Sequence, residues 1–148
     1  MTGGVFIALP GTEVNISGGN LSTLVFADSD SEVNVTGGLI GSSVVSTDSG
    51  SVVNISGGEI ENSVSAESGS VVNISGGFQR NASADTGGVL NISGGAILSS
   101  LFAQSGSEVT ISGGFLGNDF SFLPGSDCLL YTSPSPRDQR GSRMPSSA

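Results

Sequence analysis

The sequence predicts an all-β fold, a parallel β-solenoid (β-helix) of about six coils with 18–20 residues each. A hexad of the type Val-Asn-Ile-Ser-Gly-Gly returns six times, and its starts are 19, 20, 19, 18 and 19 residues apart. Apolar and polar residues alternate within it, as in a strand with one buried face. A fixed period in this range is typical of stacked repeats. We number the coils one to six by their hexads, which are residues 14–19, 33–38, 53–58, 72–77, 90–95 and 109–114.

Each hexad predicts a short strand followed by a turn. The first and third residues, such as Val14 and Ile16, are expected to point inward, and the second and fourth outward. Gly-Gly then permits a turn where a side chain would obstruct the chain. Stacking places the outward residues in two ranks, one mainly of Asn and one of Ser or Thr. This predicted outward face consists of Asn15, Ser17, Asn34, Thr36, Asn54, Ser56, Asn73, Ser75, Asn91, Ser93, Thr110 and Ser112.

The rest of each repeat supplies two further inward columns and a turn. The first column, two residues after each Gly-Gly, is Leu21, Ile40, Ile60, Gln79, Ile97 and Leu116. The second is Val25, Val45, Val64, Ala82 and Leu101, and a turn rich in Asp, Ser and Gly follows it. Each coil is therefore predicted to have three sides. The absence of a strict hexapeptide repeat favours a right-handed solenoid.

Coil four is the predicted weak point of the stack. It is one residue shorter than coil three, it places Gln79 in an apolar column, and its last strand offers only Ala82-Ser83-Ala84. Local stability follows the apolar area that is buried, so this coil is expected to open first. Arg80 falls in the same column as Glu61 of the preceding coil, which predicts an ion pair between coils.

The repeats define one domain, the predicted solenoid over residues 1–127. Residues 1–13 form an incomplete first coil that precedes coil one, because residues 6–13 match residues 120–127 in type and order. The pattern changes abruptly at Cys128, where the next hexad is due. Residues 128–148 resemble the translation of a synthetic sequencing-library adaptor, which implies an artefactual, disordered tail outside the fold.

Charge excludes several kinds of partner. Residues 1–127 contain one arginine, no lysine or histidine and twelve acidic residues, a net charge of −11. Nucleic-acid binding is excluded because no basic surface exists to displace phosphate counterions. An anionic membrane surface is excluded for the same reason, and no apolar run approaches the roughly 20 residues of a membrane span.

The repeat resembles those of a known group of proteins. The pattern Gly-Ser-x-Val-Asn-Ile-Ser-Gly-Gly, followed by an apolar pair and a Phe/Val-x-Ala segment, covers residues 5–127. It is similar to repeats in large secreted surface proteins of bacteria, the autotransporter-like or adhesin-like β-solenoids. The resemblance implies an extracellular or cell-surface location and a structural or adhesive role. It implies no enzymatic activity and no required cofactor. Surface glycans and end-to-end self-association are the expected interactions.

Calcium binding is an alternative function. Asp28, Asp48, Glu67 and Asp85 occupy equivalent turn positions, so stacking would align them in a column. Carboxylate oxygens suit Ca²⁺, although the nonapeptide of calcium β-rolls is missing. The other interpretation is a solvated acidic turn that keeps the protein soluble.

The outward Asn and Ser or Thr ranks suggest a second alternative, a flat face for a glycan or for ice. Ice-binding solenoids resemble this geometry but favour Thr. The Asn residues also fit the Asn-x-Ser/Thr glycosylation pattern, yet stacking would crowd glycans, so an amide hydrogen-bonding ladder is predicted instead. A polysaccharide-active β-helix enzyme is a third alternative. Its active site would have to lie at the break in coil four, at Gln79, Arg80 and Asn81.

Overall fold

The structure is a computed structural model, and it describes residues 2–42, 44–46, 49–117 and 119–130. All regular structure in these residues is β-strand, and every strand pair is parallel. The strands stack as a β-solenoid of about six turns, which confirms the predicted fold class. The handedness of the solenoid stays a prediction.

The strands form two sheets. The larger sheet contains β1 (Thr2–Ala8), β3 (Asn20–Ala27), β5 (Leu39–Ile40), β6 (Val44–Ser46), β8 (Glu59–Ala66), β10 (Phe78–Ala84), β12 (Ala96–Ala103), β14 (Phe115–Leu116) and β15 (Asp119–Phe122). The hexad sheet contains β2 (Glu13–Ile16), β4 (Glu32–Val35), β7 (Val52–Ile55), β9 (Val71–Ile74), β11 (Val89–Ile92), β13 (Glu108–Ile111) and β16 (Asp127–Leu130). In coils two and six the larger sheet divides into two segments, since β5 is separate from β6 and β14 from β15. In coils one, three, four and five one continuous strand of seven or eight residues stands in place of the two short strands that the sequence predicts.

The core consists of inward columns that run along the axis. The hexad residues pair with their counterparts in the next coil, for example Ile55 with Ile74 and Ile74 with Ile92. These isoleucines are at most 2% exposed. Such columns form because the two-residue alternation keeps the same residues inward in every coil. The inward assignment of the hexads is confirmed.

The second inward column differs from the prediction in coil two. Val44, and not Val45, is in register with Val25 and Val64, and it is fully buried. Coil two has 20 residues, one more than coils one and three. The sequence does not show whether the extra residue lies before or after this strand. The structure places it after Ser46, in the turn.

Coil four accommodates its missing residue at a corner. The pairing of β10 with both neighbouring strands shifts register between Gln79 and Asn81. Gln79 is fully buried in register with Ile60 and Ile97, and its Oε1 atom has no hydrogen-bond partner among the described residues. Its Nε2 atom donates to the Gly76 carbonyl over 3.4 Å. An unsatisfied buried acceptor is costly, which supports the prediction that coil four is the least stable internal coil.

The described strands continue past the predicted boundary at residue 127. Strand β16 includes Cys128 and Leu130, which pair in register with Val109 and Ile111 of β13. The prediction of a disordered tail from residue 128 therefore fails for three residues, because Cys-Leu-Leu can extend the parallel ladder. Residues 131–148 lie outside the described residues.

The coils meet closely at the Gly-Gly turn. A Cβ atom added to Gly37 would lie 2.7 Å from the Ser17 carbonyl oxygen of the coil before it, and one added to Gly113 would lie 2.5 Å from that of Ser93. At Gly76 the Ser56 carbonyl oxygen would be closer still. Gly18 differs because nothing lies within 4 Å of an added Cβ. Close stacking thus requires glycine from the second coil onward.

A charge in the core column is expected to be strongly destabilising. Ile74→Asp should lower the free energy of unfolding by several kcal/mol, because the carboxylate would lie unpaired between Ile55 and Ile92. Ser75→Asp is the matched control, since Ser75 is exposed. Thermal or denaturant unfolding measures both variants. Equal stability of the two variants would show that Ile74 does not point inward.

Coil four is expected to exchange its amide hydrogens faster than the other internal coils. Gln79→Ile should slow this exchange and raise the free energy of unfolding by about 1–3 kcal/mol, because it removes the unsatisfied oxygen. Hydrogen-exchange mass spectrometry resolves β8, β10 and β12. Uniform protection in the parent protein, unchanged by the substitution, would contradict a weak coil four.

Candidate binding face

The outer surface of the hexad sheet carries a continuous ladder of asparagine amides. The Nδ2 atom of each Asn donates to the Oδ1 atom of the Asn one coil earlier. The distances are 3.0 Å from Asn34 to Asn15, 2.8 Å from Asn54 to Asn34, 2.8 Å from Asn73 to Asn54 and 2.9 Å from Asn91 to Asn73. Thr110 follows in register with Asn91. The predicted amide ladder is therefore present over coils one to five.

The ladder has a direction, because every amide donates toward the N-terminal coil. At that end Asn15 Nδ2 donates to Glu13 Oε1 over 3.0 Å. A carboxylate is a strong acceptor for the last donor of such a chain. Asn54 Nδ2 makes a second, longer contact of 3.2 Å with Glu32 Oε1. Acidic side chains thus stabilise the N-terminal half of the ladder.

The second outward rank lies beside the ladder and is more accessible. Its members, Ser17, Thr36, Ser56, Ser75, Ser93 and Ser112, are all exposed. Thr36 Oγ1 and Ser75 Oγ lie 3.4 Å from main-chain carbonyls of the preceding coil, those of Ile16 and Ile55. These are long contacts, so the hydroxyl groups retain capacity to bind a ligand from solvent.

A third outward column was not predicted. It lies one residue before the hexads and contains Glu13, Glu32, Val52, Val71, Val89 and Glu108, which are in register from coil to coil. The three valines are half-buried and the glutamates are exposed. The alternation of the strand, extended back by one residue, would have revealed this column. The outer face is therefore apolar on one side in coils three to five and acidic at both ends.

The three carboxylates proposed for calcium that the structure describes do not converge. Asp28 Oδ1 accepts a hydrogen bond of 2.7 Å from the Ser29 amide, and Asp85 Oδ1 accepts one of 2.8 Å from Gln104 Nε2. Glu67 is half-buried in coil three, and Asp48 lies outside the described residues. Among the described residues, no three potential metal ligands form a group that could hold an ion.

Coil four does not assemble the residues proposed for catalysis. Gln79 is buried in the core, whereas Arg80 is exposed. Arg80 Nε donates 2.9 Å to the main-chain carbonyl of Glu61, in place of the ion pair predicted with its carboxylate. Asn81 Oδ1 accepts a 2.8 Å hydrogen bond from Ser100 Oγ. The three side chains therefore serve separate contacts with neighbouring coils.

Comparison with known proteins adds no family to this description. No family model, curated protein or solved structure matches the chain. Within the described part of the chain, no helix could span a membrane. The fold places the chain among the parallel β-solenoids, and its function has to be argued from the surface described above.

The amide ladder is expected to contribute to stability. Asn73→Ala removes two ladder hydrogen bonds and should lower the free energy of unfolding by about 1–3 kcal/mol. Asn20→Ala is the control, because Asn20 is exposed and lies outside the ladder. Denaturant unfolding compares the two. A ladder without energetic value would leave both variants equally stable.

The calcium hypothesis predicts a ligand-dependent stability. If the turn column binds Ca²⁺ in the folded state, about millimolar Ca²⁺ should raise the melting temperature through linkage, and Asp85→Asn should reduce the increase. Mg²⁺ at the same concentration controls for screening of the acidic surface. An identical melting temperature with Ca²⁺, with Mg²⁺ and with chelator would leave only the solvated acidic turn.

Proposed function

We propose that the chain is a non-enzymatic structural or adhesive repeat segment of a larger extracellular bacterial surface protein. The observation that carries the proposal is the ladder from Asn15 to Asn91, which continues from coil to coil without a break. Together with the buried columns, it joins successive coils along one axis. Such a stack lengthens by repetition without changing its cross-section, which suits a spacer or stalk.

The charge distribution supports a role outside the cell, away from nucleic acids. The chain carries a formal net charge of −9, and most of the acidic residues that the structure describes lie in the turns and at the ends of the outward face. An acidic surface repels nucleic acids and anionic lipids and keeps neighbouring molecules apart. Neutral surface glycans, or other copies of the solenoid, are the proposed partners.

Self-association would use the same hydrogen-bonding pattern as the stack. The strands of the hexad sheet pair in parallel, and in the middle of the sheet the paired strands have the same sequence, as Val52–Ile55 and Val71–Ile74 do. An end strand of one molecule offers equivalent N–H and C=O groups to another. End-to-end pairing of copies is therefore proposed as the way in which such segments assemble.

The spacer role predicts that length increases in proportion to the number of coils. Inserting three further copies of residues 53–71 should lengthen the molecule by about 14 Å, at about 4.8 Å per coil, with an unchanged cross-section. Small-angle X-ray scattering of the full chain and of the extended variant measures both quantities. A wider cross-section without added length would contradict the proposal.

The non-enzymatic part of the proposal needs a separate assay. The full chain is incubated with neutral and acidic polysaccharides, and new reducing ends or unsaturated products are measured. We expect no product above a heat-denatured control. Product formation that Arg80→Ala abolishes would contradict the proposal and favour the β-helix enzyme alternative.

A further inference from the structure

The middle of the hexad sheet presents an uncharged patch on an acidic molecule. This central face comprises the outward residues of β7, β9 and β11 and the serine that follows each strand. It has a column of half-buried valines, a column of ladder asparagines and a column of exposed serines. All its side chains are neutral. The nearest acidic residues on the same face are Glu32 and Glu108, one coil away on either side.

This charge pattern selects a neutral partner. A polyanion lying along the axis would pass over Glu32 and Glu108, where repulsion would disfavour it. A cationic partner would prefer the acidic turns to a patch without charge. The central face therefore matches a ligand that presents hydroxyl groups and C–H surface in place of ions.

The central face also has the hydrogen-bonding capacity that such a ligand needs. An asparagine side chain has two N–H donors and two acceptor sites, and the ladder uses one of each at Asn73. The second donor and acceptor of Asn73 remain for a ligand, and the exposed Ser75 hydroxyl lies beside them. Val71, on the other side of Asn73, provides apolar contact. Coil five repeats this arrangement about 4.8 Å further along. Coil three differs because Asn54 Nδ2 donates to both Asn34 Oδ1 and Glu32 Oε1.

The size of the surface argues against a folded protein as the occupant. Three columns over three coils cover about 300 Å², and all six coils give about 600 Å². A stable protein–protein interface needs about 800 Å² on each partner. A small contact repeated at a fixed interval suits a polymer that presents one similar unit per coil.

We propose that the central face binds an extended neutral polysaccharide whose chain runs parallel to the solenoid axis. Successive sugar residues of an extended β-linked chain are spaced similarly to successive coils. Coils four and five then each donate an amide hydrogen and a serine hydroxyl to one sugar, and coil three donates its serine hydroxyl. The valine column contacts the C–H surface of the sugars. This inference rests on the proposed adhesive function and specifies its partner.

Ice is the competing regular surface, and the side chains favour the glycan. An ice lattice requires rigidly held hydroxyl groups, and β-branched Thr is stiff about χ1 whereas Ser is not. The central face carries Ser56, Ser75 and Ser93 in its hydroxyl column and no Thr. Mobile hydroxyl groups can adapt to a sugar chain.

Binding of the full chain to microcrystalline cellulose and to chitin particles tests the proposal. Depletion isotherms give the affinity, and anionic carboxymethyl-cellulose is the charge control. The parent protein should bind at least one neutral polysaccharide. Ser75→Glu, which puts a charge at the centre of the face, should weaken binding by about tenfold or more. Ser99→Glu makes the same change at an exposed position of β12 and should bind within about twofold of the parent.

Melting temperatures confirm that the variants fold, and Ser56→Glu replaces Ser75→Glu should the latter be unstable. The proposal would be overturned if the parent bound neither cellulose nor chitin. It would also be overturned if Ser75→Glu and Ser99→Glu bound equally well. Thermal hysteresis of the parent without polysaccharide binding would assign the face to ice. If the variant with added coils lengthens as expected in scattering but the parent binds no polysaccharide, the spacer function is retained and only this inference is wrong.

Discussion

The spacing between coils at the Gly-Gly turn constrains the rest of this structure. Parallel strands pair at about 4.8 Å, and that distance leaves no room for a Cβ atom where the turn of one coil crosses the preceding one. The Ser17 carbonyl oxygen would lie 2.7 Å from a Cβ on Gly37, and the contact is closer at Gly76. The second glycine of each pair has a positive φ, for example 80° at Gly77. From the second coil onward both glycines are thus required, the first for proximity and the second for backbone conformation.

Once the coils are held at this spacing, the other contacts follow from it. Inward isoleucines of successive coils come into direct contact, and the outward amides come within 2.8–3.0 Å of one another. An asparagine ladder can form only when identical residues stack in register at this separation. The same regularity gives the outer face its repeating chemistry, which is why a spacer role and the binding of a repeating polymer are compatible. One spacing therefore underlies both the stability and the proposed function.

The sequence predicted the fold and the ladder well because both depend on period alone. The six hexads share one phase, so a single alternation rule assigned Ile74 and Asn73 to opposite sides. The errors arose where period gives no information. The period does not show where the extra residue of coil two lies, so Val45 was predicted in the buried column that Val44 occupies. The contact of Arg80 with the Glu61 carbonyl depends on side-chain rotamers. The column of valines at 52, 71 and 89 lies one residue before the hexads, and the repeat does not indicate it because Glu occupies this position in the other coils.

The most direct test of this account compares two Gly→Ala substitutions. Gly76→Ala should lower the free energy of unfolding by about 1–3 kcal/mol or more, because its Cβ would meet the Ser56 carbonyl and force two coils apart. Gly18→Ala should be neutral or stabilising by up to about 1 kcal/mol, since nothing lies within 4 Å of the added atom and the unfolded chain loses entropy. Denaturant unfolding measures both. Equal effects of the two substitutions would contradict the claim that close stacking at this turn determines the fold.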